Sequence, residues 1–317
     1  MLSYILLVIG FALLLKGGAV LVDGASSLAR RFGLSDLVIG LTVVSIGSSS
    51  PELIVNLLAS FRGNADLAVG NVLGSNTVNI LLGLGLAALI HNLKVRSTTV
   101  WKEIPFSLLA ILVLAVLAND ALIDGQAFST VTRADGFVLL AFFSIFLYYI
   151  YSLSKKSSVE RTLSGESSVA KSLLMVAGGG LCLTLGGKWV VDGALEIGRA
   201  LGASDALMGL TVVAIGTSLP EIVTSAVAAS RKKADIAIGN VVGSNIFNIF
   251  WVLGLVSLIR PVAFSAPLNL DILALILATS LLFVFLFVGR EHTLSRWEGL
   301  GFIAIYVLYA AYLIYRG

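Results

Sequence analysis

Glu52 and Glu221 each follow a proline inside a segment apolar enough to cross a membrane, and the two segments are near copies of each other. GLTVVSIGSSSPEL runs from Gly40 to Leu53 and GLTVVAIGTSLPEI from Gly209 to Ile222, 169 positions apart. A carboxylate at the centre of a bilayer costs about 2.5–3.5 kcal/mol on insertion scales. Two matched ones call for a bound cation to offset them. The proline ahead of each glutamate removes a backbone donor and clashes with the preceding turn, while Gly47 and Gly216 loosen the chain just before it. Short unwound stretches are expected at Ser48-Ser49-Ser50 and Thr217-Ser218-Leu219. Unwinding frees carbonyl oxygens, and irregular backbone at membrane depth survives only where it lines a cavity or finds another partner.

A second repeated element adds oxygens to this set. GNVLGSNTVNI spans Gly70 to Ile80 and GNVVGSNIFNI spans Gly239 to Ile249. Ser75 and Asn79, four residues apart, share a helix face, as do Ser244 and Asn248, whereas Asn76 and Asn245 point about 100° away. Carboxylates, hydroxyls, carbonyls and amide oxygens suit hard cations such as Ca²⁺ or Na⁺ and suit Zn²⁺ or Cu²⁺ badly. Serine and asparagine also serve as glue between membrane helices. What favours ligation is the joint recurrence of Pro-Glu breaks and Ser-Asn helices at identical offsets. Asp66 and Asp235 each open a helix after a loop and read as N-caps. His91 and His292 fall at helix ends.

The elements that must carry these residues follow from composition. Of 317 residues, 58% are hydrophobic and 12% charged, far from the roughly one-quarter charged residues of a soluble domain. The chain reads as an all-α polytopic membrane protein. Ten apolar stretches approach the roughly 20 residues a spanning helix needs: Ser3–Val22, Leu37–Phe61, Leu67–Ile90, Ile104–Ala118, Gly136–Leu153, Leu173–Val191, Ala206–Ala229, Ile236–Ile259, Ile272–Val288 and Gly299–Tyr315. Between Gly40 and Gly85, 25 of 46 residues recur 169 positions later without a gap. Five crossings per copy is an odd number, so the second copy enters from the other side and the ten helices form two inverted five-helix repeats. The expected organisation is residues 1–153, a linker 154–172, and residues 173–317.

With the N-terminus outside, inner loops carry fourteen Lys and Arg against five outside, namely Arg62, Arg133, Arg199, Arg260 and Arg316. Positive charge collects on cytoplasmic loops, so both termini are expected to be extracellular and the linker cytoplasmic, in a multi-pass protein of the cell membrane. The Ser-rich linker is too short for a folded domain. Lone Cys182 permits no intrachain disulfide. The pI near 9.0 reflects loop charge and gives no argument for nucleic acid. Met1–Val22 reads as a first helix, lacking the basic n-region and cleavage site of a signal peptide.

The G-[ST]-S-x-P-E element followed by G-S-N-x-x-N, once per half, resembles the sodium/calcium exchangers of the cation/calcium exchanger superfamily, particularly their prokaryotic members. The resemblance covers nearly the whole chain. It implies a secondary active antiporter, not an enzyme, with no cofactor and no obligate protein partner, exchanging Ca²⁺ for Na⁺ across the lipid bilayer. By the same resemblance Glu52 and Glu221 are the central Ca²⁺ ligands, assisted by the Ser48 and Thr217 carbonyls. Ser49, Ser75, Ser218 and Ser244, with the carbonyls of Ser45 and Ala214, complete Na⁺ sites, and Asn79 and Asn248 line the middle of the cavity. Potassium-dependent relatives carry an acid where this chain has Asn248, which argues against a K⁺ requirement. The first helix of each half is expected to slide as a gate over the site. Exchange against protons is the alternative within transport, because carboxylates in a low-dielectric site take up protons readily. A cation channel ranks lower. A serine hydrolase is disfavoured, since no histidine or lysine lies near the serines.

Overall fold

The computed structural model describes residues 2–62, 66–155, 168–200, 214–288 and 291–316. Nearly all of them are helical. The helices are α1 (Leu2–Phe32), α2 in two pieces, α2a and α2b (Asp36–Ser48 and Ser50–Phe61), α3 (Ala68–Ile90), α4 (Thr99–Leu117) and α5 (Arg133–Lys155). In the second half they are α6 (Val169–Ala200), α7 in two pieces, α7a and α7b (Ala214–Thr217 and Leu219–Ser230), α8 (Ala234–Ile259), α9 (Leu268–Phe285) and α10 (Arg296–Arg316). Among the described residues eight helices are long and apolar enough to cross a membrane, or nine with bent α2 counted as one. The start of the expected span Ala206–Ala229, including Gly209–Val213 of the repeated motif, lies outside the described residues, as do positions 156–167 of the linker.

Several helices outrun their apolar stretches. α1 continues past Val22 to Phe32, and α6 past Val191 to Ala200, because apolarity marks where lipid lies, whereas the backbone ladder continues until something stops it. Along the polar extension Ser26 Oγ donates back to the Val22 carbonyl at 2.6 Å. The stop is Gly33, at φ +67°, where Leu34 N–H folds back onto the Ala29 carbonyl at 2.8 Å.

The sequence suggested helices alone, yet two short antiparallel ribbons join the halves. β1 (Leu93–Lys94) pairs with β4 (Thr293–Leu294), and β2 (Ser129–Val131) with β3 (Val262–Phe264). Each strand is too short to show an alternating pattern. Under the 169-residue offset Leu93 maps onto Val262, so both ribbons join the strand after α3 or α8 to the strand before the other half's last helix. The β1–β4 ribbon marks an end rich in cations. There Arg96 bonds Asp235 at 2.7 Å, Ser172 donates to Ser27 at 2.9 Å, and Arg296 N–H donates to Asn92 at 3.2 Å. Asp235 was expected to cap α8; Lys233 takes the cap position instead, and Asp235 sits in the first turn facing Arg96. The side chain of Asp66 lies outside the described residues. The opposite end is tied by Asn119 and Asn269, which exchange amide bonds at 2.8 Å.

α3 and α8 form the centre, with 72% and 78% of their apolar windows buried against 17–39% for the other helices that pass as spans. Close packing depends on paired glycines. α1 and α6 run antiparallel with Gly10 on Gly186 and Gly17 on Gly179, and Gly40 of α2 meets Gly239 of α8. Under the offset Gly10 becomes Gly179 and Gly17 becomes Gly186, so the two α1–α6 contacts map onto each other. Outer helices are held to their neighbours by buried acids. Tyr149 of α5 donates to Glu103 of α4, and Tyr309 of α10 donates to Asp271 of α9 at 2.8 Å, with Arg316 3.0 Å from the same carboxylate.

A methyl group at Gly17 would lie 2.8 Å from the Cys182 side chain and 2.9 Å from the Gly179 carbonyl, whereas one at Gly301 meets nothing within 4 Å. Overpacking of this kind costs about 1–3 kcal/mol. Gly17→Ala is expected to lower the melting temperature of the purified protein in detergent by several degrees, and Gly301→Ala to leave it unchanged or raised, as read by intrinsic fluorescence.

Candidate ion-binding site

Both Pro-Glu segments break where expected, but over a single residue each. α2 ends its first piece at Ser48 and resumes at Ser50, bent by 46°. Ser49 between them has φ −84° and ψ 7°, and Ser218 in α7 has φ −88° and ψ 1°. Three-residue gaps were expected at each break. The gaps are shorter because Pro51 and Pro220 fall in the first turn of the second piece, where a missing N–H and a fixed φ are tolerated. With no N–H on either proline, the Gly47 and Gly216 carbonyls lose their helical donors. The Ser45 carbonyl, by contrast, accepts both Ser49 N–H at 2.9 Å and Ser48 Oγ at 3.2 Å. In the second half Ser218 N–H reaches the Ile215 carbonyl at 3.1 Å.

Glu52 and Glu221 follow these breaks and are both 0% exposed. Glu221 Oε1 accepts from Ser49 Oγ at 2.6 Å, across the halves. The equivalent bond from Ser218 to Glu52 is not made, and both Glu52 oxygens and Ser218 Oγ are buried without partners. Ser75 reaches across to Thr217, with their hydroxyls 3.3 Å apart. Ser48 Oγ donates to Asn240 Oδ1 at 2.9 Å.

The asparagines beneath are organised reciprocally. Asn76 Nδ2 donates to the Asn245 carbonyl at 3.1 Å and Asn245 Nδ2 to the Asn76 carbonyl at 3.2 Å. Asn79 Nδ2 then donates to Asn245 Oδ1 at 3.2 Å, and Asn248 Nδ2 to Asn76 Oδ1 at 3.1 Å. Each bond maps onto the other under the offset. Spending their amide N–H groups on this ladder leaves Asn79 and Asn248 with bare, buried Oδ1 atoms. A local widening of each helix accompanies them: π-helical turns cover Asn79–Leu84 and Phe247–Leu253, and another covers Gly40–Val44. Such turns concentrate at functional sites.

Among the described residues of the repeated motifs, seven buried side-chain oxygens lack any hydrogen-bond partner: two on Glu52 and one each on Glu221, Asn79, Asn248, Ser218 and Ser244. A buried polar atom left bare costs about 1–3 kcal/mol, and acceptors and hydroxyls of these types have the chemistry to cradle a hard cation. Among the described residues no group of three His, Cys, Asp or Glu comes together. The cradle therefore holds two acids only and draws the rest of its oxygens from neutral groups.

Other residues support the cradle without having been singled out from the sequence. Asn240 donates to the Glu221 carbonyl at 3.2 Å and to Ser225 Oγ at 2.9 Å. Asn56 donates to the Glu52 carbonyl at 2.8 Å and accepts from Asn71 at 3.2 Å. Asn56 and Ser225 occupy equivalent positions with different residues, so a search for identities passes over them. Beside the site, a cavity of about 250 Å³ opens between α6, α2b and α7, lined by Pro51, Ile54, Val55, Gly187, Asp192, Gly216, Thr217 and Pro220 among others.

This arrangement has known counterparts. The family model described as sodium/calcium exchanger protein matches residues 2–152 and 171–315. The chain is 40% identical over 271 residues to the inner membrane protein YrbG of Escherichia coli, covering 82% of this chain and 81% of that one. It is 30% identical to the sodium/calcium exchanger MaX1 of Methanosarcina acetivorans over 99% of both chains. Among solved structures, that of the sodium-calcium exchanger NCX_Mj soaked with Na⁺ and Ca²⁺ matches with a TM-score of 0.82 and 33% identity, over 98% of each chain. The chain is thus a multi-pass membrane transporter belonging to the sodium/calcium exchanger family.

Proposed function

We propose that the protein exchanges Ca²⁺ for Na⁺ at one midplane site shared by Glu52 and Glu221, reached alternately from the two sides of the membrane. The observation that carries this reading is the cluster of seven bare, buried oxygens on residues of both halves. Ca²⁺ prefers six to eight oxygen ligands and tolerates irregular geometry. Two carboxylates balance one Ca²⁺, while several Na⁺ on the same oxygens leave net positive charge, so the ions compete for one cradle. Competition at a shared site is what couples their movements.

The assignment of individual ligands belongs to the same proposal. Glu52 and Glu221 with the Ser48 and Thr217 carbonyls hold the divalent ion. Ser49, Ser75, Ser218 and Ser244, with the Ser45 and Ala214 carbonyls, serve Na⁺, and Asn79 and Asn248 face the centre. The Ser45 carbonyl, already accepting two bonds, has to exchange one of them for the ion. Ten crossings as two inverted repeats, residues 1–153 and 173–317 about the 154–172 linker, accord with the reciprocal Asn76–Asn245 bonds and the paired ribbons. The cation-rich end carrying Arg30, Arg31, Lys94, Arg96 and Arg231–Lys233 is the cytoplasmic one on this reading, with both termini outside. Sodium/potassium/calcium exchangers match 38% of the chain, but neutral Asn248 supports exchange without K⁺.

Exchange against protons is a second reading, and Glu52 favours it: a buried carboxyl with both oxygens bare is satisfied by a proton as well as by a cation. Counter-ion gradients decide between the two. In proteoliposomes, ⁴⁵Ca uptake is expected to follow an outward Na⁺ gradient and to ignore K⁺; uptake driven by a pH gradient without Na⁺ would establish the proton reading. Glu52→Gln and Glu221→Gln are each expected to reduce Ca²⁺ transport at least about 100-fold while the protein remains monodisperse in detergent. A fully active double variant would remove the site. Asn240→Ala frees Ser48 and the Glu221 carbonyl together and is expected to raise the Ca²⁺ KM several-fold with little loss of folded protein.

A further inference from the structure

The two halves differ sharply in how their first helices meet the site. α1 lies along α7b, and a Cβ placed at Gly18 would sit 3.3 Å from Val223. The equivalent helix, α6, barely touches α2b. At its equivalent Gly187 the nearest atoms are 3.8 Å away and belong to Gly216 and Pro220, and the cavity reaching Thr217 fills the space toward Ile54 and Val55. One side of the cradle is shut and the other is open.

At the mouth of the shut side Asp23 of α1 forms an ion pair with Arg231, the residue that ends α7b, and the same guanidinium donates to the Ala19 carbonyl at 3.0 Å. Under the 169-residue offset Asp23 becomes Asp192 and Arg231 becomes Arg62. Asp192 lines the open cavity, and Arg62 is the residue that ends α2b. Neither makes an ion pair among the described residues. The same acid and the same arginine thus stand at both mouths, paired where the helices pack closely and unpaired where they barely touch.

We propose that Asp23–Arg231 and Asp192–Arg62 are alternating latches, one per mouth, each of which holds its gate helix and stabilises the access state in which that mouth is shut. The idea rests on alternating access to the shared site. The formed pair is half-exposed, 51% at Asp23 and 31% at Arg231. Exposed pairs are weak, so the latch biases the equilibrium without locking it. When α6 closes on α2b, Asp192 meets Arg62 as α1 lifts from α7b and Asp23 leaves Arg231. All four residues are positioning residues, since none touches the ions.

The test reads accessibility at an equivalent pair of reporters, Ile54→Cys and Val223→Cys, each in a Cys182→Ala background, with a membrane-impermeant thiol reagent applied from either side. In otherwise unaltered protein Ile54→Cys is expected to react and Val223→Cys to be protected. Adding Asp23→Asn is expected to raise labelling of Val223→Cys and lower that of Ile54→Cys, each about two- to five-fold. Asp192→Asn is expected to push the ratio the other way, and the swapped pair Asp23→Arg with Arg231→Asp to restore it. Unchanged labelling in Asp23→Asn, or the same direction of change in Asp23→Asn and Asp192→Asn, overturns the latch. Alternating access is read separately: if Na⁺ and Ca²⁺ still redistribute labelling between the reporters while Asp23→Asn does nothing, the latch fails alone. If the ions redistribute nothing, the underlying reading fails.

Discussion

Two carboxylates buried in a low-dielectric centre, with no protein cation paired to either among the described residues, are the constraint on which the rest of the molecule depends. Glu52 and Glu221 are fully buried, and among the described residues no basic side chain bonds either carboxylate; Lys188 of α6 stands at the wall of the neighbouring cavity. Every nearby feature answers that constraint. The proline breaks strip donors from Gly47 and Gly216. The asparagine ladder turns its N–H groups inward to itself and leaves oxygens bare. Continuous helices would have satisfied their own backbone and offered a cation almost nothing but the two acids. Breaking them frees backbone acceptors beside the two acids, and glycine contacts such as Gly40 on Gly239 bring the two halves close together.

Much of this was legible in the sequence because duplication turns weak signals into a joint one. A lone Pro-Glu in an apolar run says little, but the same pair with Ser-Asn partners at one offset points to a candidate site, and Glu52, Glu221, Asn79, Asn248, Ser218 and Ser244 carry bare oxygens. The breaks were located correctly and drawn too wide, since proline position within a turn matters more than its presence. Features that rest on backbone geometry left no trace in residue types. The π-helical turns at Asn79 and Asn248 need one extra residue per turn, which apolar periodicity hides, and the ribbons are two or three residues long. Asn56 and Ser225 escaped for the opposite reason, being equivalent in place and different in kind.

Membership in the sodium/calcium exchanger family agrees with the local chemistry, and the chain's own residues narrow what that membership means. Hydroxyls and amides outnumber acids in the cradle. The half-formed symmetry of the site, with Ser49 bonded to Glu221 while Ser218 and Glu52 stand apart, parallels the shut and open mouths. Local and distant asymmetry run in the same direction, as the proposed alternation of access requires.

The reciprocal bonds between Asn76 and Asn245 carry a different consequence. They map onto themselves when the halves exchange roles, so this contact has the same energy before and after such an exchange. It acts as a fulcrum and cannot prefer either side. Any resting preference of the protein must therefore be written where equivalent positions hold unlike residues: Ser45 against Ala214, Ser50 against Leu219, Asn56 against Ser225. The direction in which the molecule leans is encoded in the imperfections of its own repeat.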